Sequence, residues 1–137
     1  LPVRAHPTEA GMDLFYCPEK EIKFTTLHPG DSKLLPTGLK IQVPSGYMLQ
    51  IMNKSSVSSK RSLITGACVV DEGYTGEIFV NLHNVGSTSQ IIEPGQKTAQ
   101  AVFVKIEKPF LLEVTEDDVY GRQTSRGNGA LGSTGDM

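Results

Sequence analysis

Tryptophan is absent from this 137-residue chain, and cysteine occurs only twice, at Cys17 and Cys68. Two cysteines are too few for a disulfide framework or a cysteine metal cluster, and they fit two reduced thiols in a reducing compartment. No apolar run approaches the roughly 20 residues that cross a bilayer. The N-terminal residues lack the charged-then-apolar layout of a secretory signal, so the expected compartment is cytoplasmic or nuclear, not secreted. A formal net charge of −2 gives no electrostatic reason for a duplex nucleic acid or an anionic membrane as partner. His6, His28 and His83 show no ligand spacing, which leaves a zinc site unsupported. No histidine stands in a nucleophile-like context, so a serine-hydrolase triad is not supported. No glycine loop ends in Gly-Lys-Ser/Thr, so a Walker-type phosphate loop is missing too.

What the chain has is breakers: 14 glycines and 8 prolines, spread along its length. They divide the sequence into short apolar segments that suit strands better than helices. Strands are expected at Ala10 to Tyr16, Glu21 to Phe24, Lys33 to Leu35, Leu39 to Val43, Tyr47 to Met52, Gln90 to Ile92, Lys97 to Ile106 and Phe110 to Val114. His28-Pro29-Gly30-Asp31 and Glu93-Pro94-Gly95-Gln96 read as turns. One short helix is expected at Ser55 to Lys60, although its serines give it poor propensity. About ten short strands with turn signals every 8–12 residues argue for an all-β sandwich or jelly roll of a single domain. The last residues, with glycines at 127, 129, 132 and 135, have too much backbone freedom to hold one conformation unaided.

The stretch from Thr65 to Asn84 organises the chain. Two apolar runs flank Asp71, Glu72 and Gly73, which reads as a β-hairpin with a polar tip. On its second arm Ile78, Val80 and Leu82 alternate with Glu77, Phe79, Asn81 and His83, a strand with one buried face. Unpaired backbone groups of such a hairpin can read the edge of a small planar ligand.

Several polar segments have the composition of a phosphate site, each with a plainer reading beside it. Lys54, Ser55 and Ser56 open the helix, where free N–H groups attract anions, but a serine there can equally be an N-cap. Arg126, Ser133 and Thr134 lie among the terminal glycines; Arg suits phosphate through its planar fork, or the tail is simply solvated. Gln100 interrupts an apolar strand and needs a partner, which a backbone group would supply as well as a ligand. Asp13 and Asp71 are acids in apolar settings, and a lone turn Asp usually caps backbone amides.

Taken together, in type and order, these stretches resemble the five motifs of the homotrimeric dUTP pyrophosphatase (dUTPase) family. Ala10-Gly11-Met12-Asp13-Leu14 is similar to the first and Lys54-Ser55-Ser56-Val57 to the second, usually Arg-Ser-Ser/Gly-Leu. Gly66 through Glu77 is similar to the third, Pro94 through Gln100 to the fourth, and Arg126 through Gly135 to the fifth, Arg-Gly-x-Gly-Gly-Phe-Gly-Ser-Thr-Gly. The Lys-Ser-Ser and Asp-Glu-Gly-Tyr variants resemble those of retroviral, other viral or phage enzymes, for which a virion is a further compartment.

The resemblance implies a jelly-roll-like β-barrel over residues 1–120 and a flexible C-terminal arm over 121–137 that closes over the site. It implies a homotrimer whose active sites are shared between subunits, with dUTP as substrate and Mg²⁺ as cofactor. Asp71 would be the catalytic base. Lys54, Ser55, Ser56 and Gln100 would contact the phosphates, and Arg126, Ser133 and Thr134 would grip the γ-phosphate. Backbone groups at Thr65, Gly66, Val69 and Val70 would pair with uracil, Tyr74 would lie against the deoxyribose, and Leu131 and Gly132 would cover the base. Asp13 would act on the metal through water. Lys54 stands where the family usually has Arg, Leu131 where it has Phe, and Ala130 and Cys68 where it has Gly. Two other functions fit a fold of this kind. A dCTP deaminase needs a carboxylate at the position that Asn81 fills. A non-catalytic nucleotide-sensing or protein-binding module would need neither Asp71 nor the complete tail.

Overall fold

In a computed structural model the described residues are 1–121, 123–132, 134 and 135. They fall into two compact units, Leu1–Glu107 and Lys108–Met137.

The first unit carries nine strands and one helix. Strand β1 (Met12–Phe15) is followed by β2 (Thr25–Leu27), β3 (Ser32–Pro36) and β4 (Tyr47–Met52). Helix α1 (Ser55–Arg61) leads into β5 (Leu63–Thr65), β6 (Val69–Val70), β7 (Phe79–Asn84), β8 (Gln90–Ile92) and β9 (Lys97–Lys105). All pairings are antiparallel and form three sheets, ordered β1-β9-β4-β6, β2-β8 and β3-β7-β5. The all-β, jelly-roll-like expectation holds in this arrangement of small packed sheets.

Alternation builds the core. On β7 the side chains of Val80 and Leu82 are buried, as is Ile78 just before it, while Phe79 is exposed and Asn81 and His83 are half-buried. Central strand β9 pairs on both edges, and Thr98, Ala99 and Ala101 are all buried there. A strand enclosed on both faces loses its alternation, and small residues let the neighbouring layers approach. Helix α1 buries only Val57, so packing rather than propensity holds it.

Four expectations need correction. The strand expected at Glu21–Phe24 lies instead at Thr25–Leu27, where Thr25 and Leu27 find Ile92 and Gln90 across β8. Leu39–Val43 shows the expected burial alternation without belonging to a ladder: Val43 is buried and Lys40 and Gln42 are exposed. Hydrophobic alternation reports which face is covered, and a ladder also needs a neighbouring backbone; Leu39 offers its carbonyl to Ile78 N–H at 2.8 Å. Thr65–Asn84 is not a single hairpin. Its first arm divides, β5 pairing with β7 and β6 crossing to β4 in another sheet. The turn itself is as expected, with Tyr74 N–H donating to Asp71 O at 3.2 Å and Gly73 at φ +88°.

In the second unit, Phe110–Val114 forms no strand, because no ladder partner meets it among the described residues. A short helix α2 (Glu116–Val119), unforeseen in the sequence, follows it. Three acidic residues occupy its first turn and Thr115 Oγ1 lies 2.9 Å from Asp118 Oδ2. Acids at a helix start complement its dipole.

Leu82→Ala is expected to lower unfolding stability by about 2–5 kcal/mol through lost burial and a cavity, whereas Lys23→Ala, at an exposed position, should stay within about 0.5 kcal/mol. Urea titration of both variants checks the pair.

Candidate active site

The crossing from β5 to β6 and the turn after it enclose a cavity of about 210 Å³. Ala67, Cys68, Val69, Val70, Asp71 and Tyr74 line one side, and Glu77, Phe79 and Asn81 of the returning arm line another. Pockets for drug-sized ligands run about 300–1,000 Å³, so this one suits a single ring. Cys68 O accepts from Ile51 N–H at 2.7 Å. Because a strand's backbone groups face alternate edges, the N–H and C=O of Val69 then face away from β4, toward the open edge of its sheet.

The sequence folds this way through close approaches that only glycine permits. A Cβ on Gly66 would sit 2.3 Å from both Asn81 Oδ1 and His83 Nε2. A Cβ on Gly76 would sit 2.4 Å from the Tyr74 hydroxyl, which donates to Glu77 O at 2.8 Å and folds the half-exposed ring back over its own turn. Glu77 in turn accepts from Gly38 N–H at 2.8 Å. Asp71 is exposed beside the cavity.

A second group gathers where β1, β9 and the start of α1 meet. Asp13 is buried, 5 % exposed, and paired with Lys54 at 2.7 Å through Oδ1 and Lys97 at 2.8 Å through Oδ2. Burial pushes the Asp13 carboxyl upward, but hydrogen bonds and charge from Lys54 and Lys97 outweigh it and hold the group below its usual value. The Lys97 ammonium is raised by its bond to Asp13 and by that carboxylate's charge.

Gln100 stands opposite Asp13 on β9 and donates to Asn53 O at 2.9 Å, so it does satisfy a backbone group. A Cβ on Gly11 would lie 2.2 Å from Gln100 Oε1, which explains the glycine before Met12. Asn53 also accepts from Thr65 N–H at 2.8 Å. The N-cap of α1 is Lys54, with no side-chain bond capping the helix. Ser55 and Ser56 are therefore exposed first-turn residues rather than caps.

These two groups do not meet within one chain. Val70 pairs with Leu49 on β4, so in register Asp71 falls level with Met48. From Met48 to Met52, where β4 ends, the strand runs roughly 13 Å at 3.3 Å per residue, and Lys54 lies beyond that end, at the cap of α1. Among the tail residues, Arg126 Nε donates to Gly129 O at 3.0 Å, and Leu131 and Thr134 are exposed. Gly132 has φ +81°. Ser133 lies outside the described residues.

Sequence reasoning singled out neither Lys97 nor Asn81 as a site residue. Lys97 sits within the Pro94–Gln100 motif, and that position was the signal available. Asn81 carried a signal as well, a polar side chain between the buried Val80 and Leu82.

The sheets and the cavity define an all-β protein with a small cavity at a strand crossing. A family model described as dUTPase matches residues 1–135. The chain belongs to the dUTPase family. It is 39% identical over 137 residues to a deoxyuridine 5'-triphosphate nucleotidohydrolase of Clostridium novyi (98% of this chain, 90% of that protein). It is 36% identical to a protein of the same name from Mycobacterium sp. strain JLS (98% and 87%). Among solved structures it resembles Staphylococcus bacteriophage 80alpha dUTPase with dUpNHpp, at TM-score 0.86, 27% identity and coverage of 98% and 91%. It also resembles a mutant dUTPase from phage phi11 of S. aureus, described as coordinating a structural Mg(II) ion, at TM-score 0.76, 27% identity and coverage of 85% and 90%.

A carboxylate held below its usual value of 3.8 contributes stability above that value, and the contribution is lost as pH falls through the folded-state value. Asp13→Asn should therefore be less stable than the parent at neutral pH, with the gap closing below about pH 4. Thermal melts of both proteins between pH 2 and 7 measure it.

Proposed function

We propose that this protein hydrolyses dUTP to dUMP and pyrophosphate, keeping uracil out of DNA and supplying dUMP for thymidylate synthesis. The observation that carries the reading is the single-ring cavity with Asp71 and Tyr74 on its wall. Family membership and relatives named for dUTP hydrolysis support it. The separation of Asp71 from Lys54 along β4 supports sites completed between copies, in a homotrimer.

The Asp71 carboxylate takes a proton from a water, which attacks the α-phosphorus in line. The bond from that phosphorus to the bridging oxygen breaks, and pyrophosphate leaves. Transfer to phosphorus depends mainly on positioning and charge stabilisation, so a modest base suffices. Lys54, Ser55, Ser56 and Gln100 donate to the phosphates. Arg126, Ser133 and Thr134 hold the γ-phosphate, and Leu131 and Gly132 cover the base as the arm 121–137 closes and excludes water. Thr65, Gly66, Val69 and Val70 present backbone groups to the uracil edge, where a narrow cavity rejects thymine's methyl and cytosine's reversed polarity. Tyr74 packs on the deoxyribose and leaves no room for a 2′-hydroxyl.

Among the described residues no three or more His, Cys, Asp or Glu side chains gather as metal ligands, and both oxygens of Asp13 are already taken by lysines. That donor set fits Mg²⁺ held chiefly by substrate phosphates and waters, as is usual for this ion, with Asp13 reached only through water. When bound it would neutralise part of the triphosphate charge.

Deamination of dCTP is disfavoured by Asn81, whose amide is bonded at both ends and has no proton to shuttle. A non-catalytic module remains the alternative reading. No helix among the described residues is long and apolar enough to cross a membrane.

Product analysis with dUTP, dCTP, dTTP and UTP is expected to give Mg²⁺-dependent dUMP and pyrophosphate from dUTP, with the others at least about 100-fold slower. Asp71→Asn should lower kcat by about 10²–10⁴ while retaining nucleotide binding. Ammonia from dCTP, or an Asp71→Asn variant as fast as the parent, would overturn the reading.

A further inference from the structure

The outer face of β7 carries a polar device unrelated to the phosphate residues. Asn81 reaches three segments at once. Its Oδ1 accepts from Ala67 N–H at 3.1 Å and lies 3.0 Å from His83 Nε2, while its Nδ2 donates to Ser32 Oγ at 3.0 Å and to Lys33 O at 3.4 Å. The Ala67 N–H admits only an acceptor, which fixes the direction of the amide. His83 must then carry its proton on Nε2 to donate to the same oxygen. With both ends engaged, Asn81 has no capacity left for a ligand, although it borders the cavity.

What Asn81 does instead is hold a wall. Ala67 and Cys68 line the cavity, and three bonds pin their loop: Gly66 N–H to Asn81 O at 2.9 Å, Ala67 N–H to Asn81 Oδ1, and Cys68 O to Ile51 N–H. Only the Ala67 bond depends on a side chain. Gly66 has no room for a Cβ against the Asn81–His83 pair, so the pair and the loop are in close contact.

We infer that Asn81, oriented by His83 and Ser32, is a positioning residue that sets the width of the ring cavity and thereby its preference for a pyrimidine without a 5-methyl group. This rests on the base-binding reading above. A wall held by a short strut resists the displacement that a methyl group demands. Without the strut, the loop keeps only its two backbone bonds and can yield.

The test compares Asn81→Leu, which keeps the approximate size but removes the acceptor, with Asn81→Asp, which keeps the acceptor. Binding of dUMP and dTMP is measured by calorimetry, and exchange of the Ala67 amide by NMR. Asn81→Leu should lose about tenfold of the dUMP preference and exchange Ala67 at least about tenfold faster. Asn81→Asp should stay within about threefold of the parent in both, because the bond to Ala67 survives. If Asn81→Leu yields no folded protein, Asn81→Ala carries the test. It also removes the acceptor for the Ala67 N–H, and an unchanged dUMP preference would overturn the inference. A parent that binds dUMP and dTMP alike overturns the base reading itself. A parent that prefers dUMP while folded Asn81→Leu keeps that preference overturns the strut alone.

Discussion

Backbone donors and acceptors at a strand end must find partners, and between Thr65 and Val69 this chain finds them on two sheets. Gly66 N–H stays with β7, while Cys68 O passes to Ile51 on β4. Two residues, Ala67 and Cys68, make the transfer, and the gap that opens between the diverging strands is the cavity. Its existence depends on backbone hydrogen bonding being obligatory away from water. Had both arms stayed paired as a plain hairpin, side chains would have closed the space between them. The neighbouring glycines follow from the same constraint, since Gly66 and Gly76 stand where returning side chains press on the backbone.

Much of this was legible because alternation is a local signal. Ile78, Val80 and Leu82 declared their buried face, and Asp71-Glu72-Gly73 declared the turn. The division of the first arm was not legible, because Val69 and Val70 are equally apolar whether they pair with β7 or with β4. Partner choice is a long-range property that no window of residues contains. Leu39–Val43 shows the converse. Its pattern is that of a strand and its burial agrees, yet pattern reports the covered face and not the ladder. At Phe110–Val114 the apolar run suggested a strand, and residues such as Phe110, 93 % exposed, show one lacking a partner among the described residues.

The site was legible in composition more than in geometry. Lys54, Ser55, Gln100 and Asp13 were identifiable as polar residues in places that needed a reason. Gln100 does serve a backbone group, Asn53 O, whereas Ser55 is not the cap, since Lys54 takes that position. The first outcome turns on a contact between β9 and the residue before the cap, 47 positions apart in sequence, and the second on the local backbone geometry at Lys54. The pairing of Asp13 with Lys97 is likewise set by register across β1 and β9, which spacing alone does not fix.

That pairing bears on how the proposed site would meet a triphosphate. Two lysines share one buried carboxylate, so the group carries a surplus positive charge while both ammonium heads are held in place. Lysine otherwise keeps much rotamer freedom, and ordering it on binding costs up to about 2 kcal/mol. Here Asp13 has already met part of that cost in the folded chain. The arrangement has an opposing effect, because the carboxylate repels an incoming phosphate. The balance favours binding when the phosphate approaches the lysine faces turned away from Asp13. Lys97, with 43% of its side chain exposed, and Lys54, with 27%, both leave such a face open. A lysine at position 54 therefore makes physical sense despite lacking the planar fork of arginine. Its compact head can serve the buried carboxylate with one proton and direct the others outward.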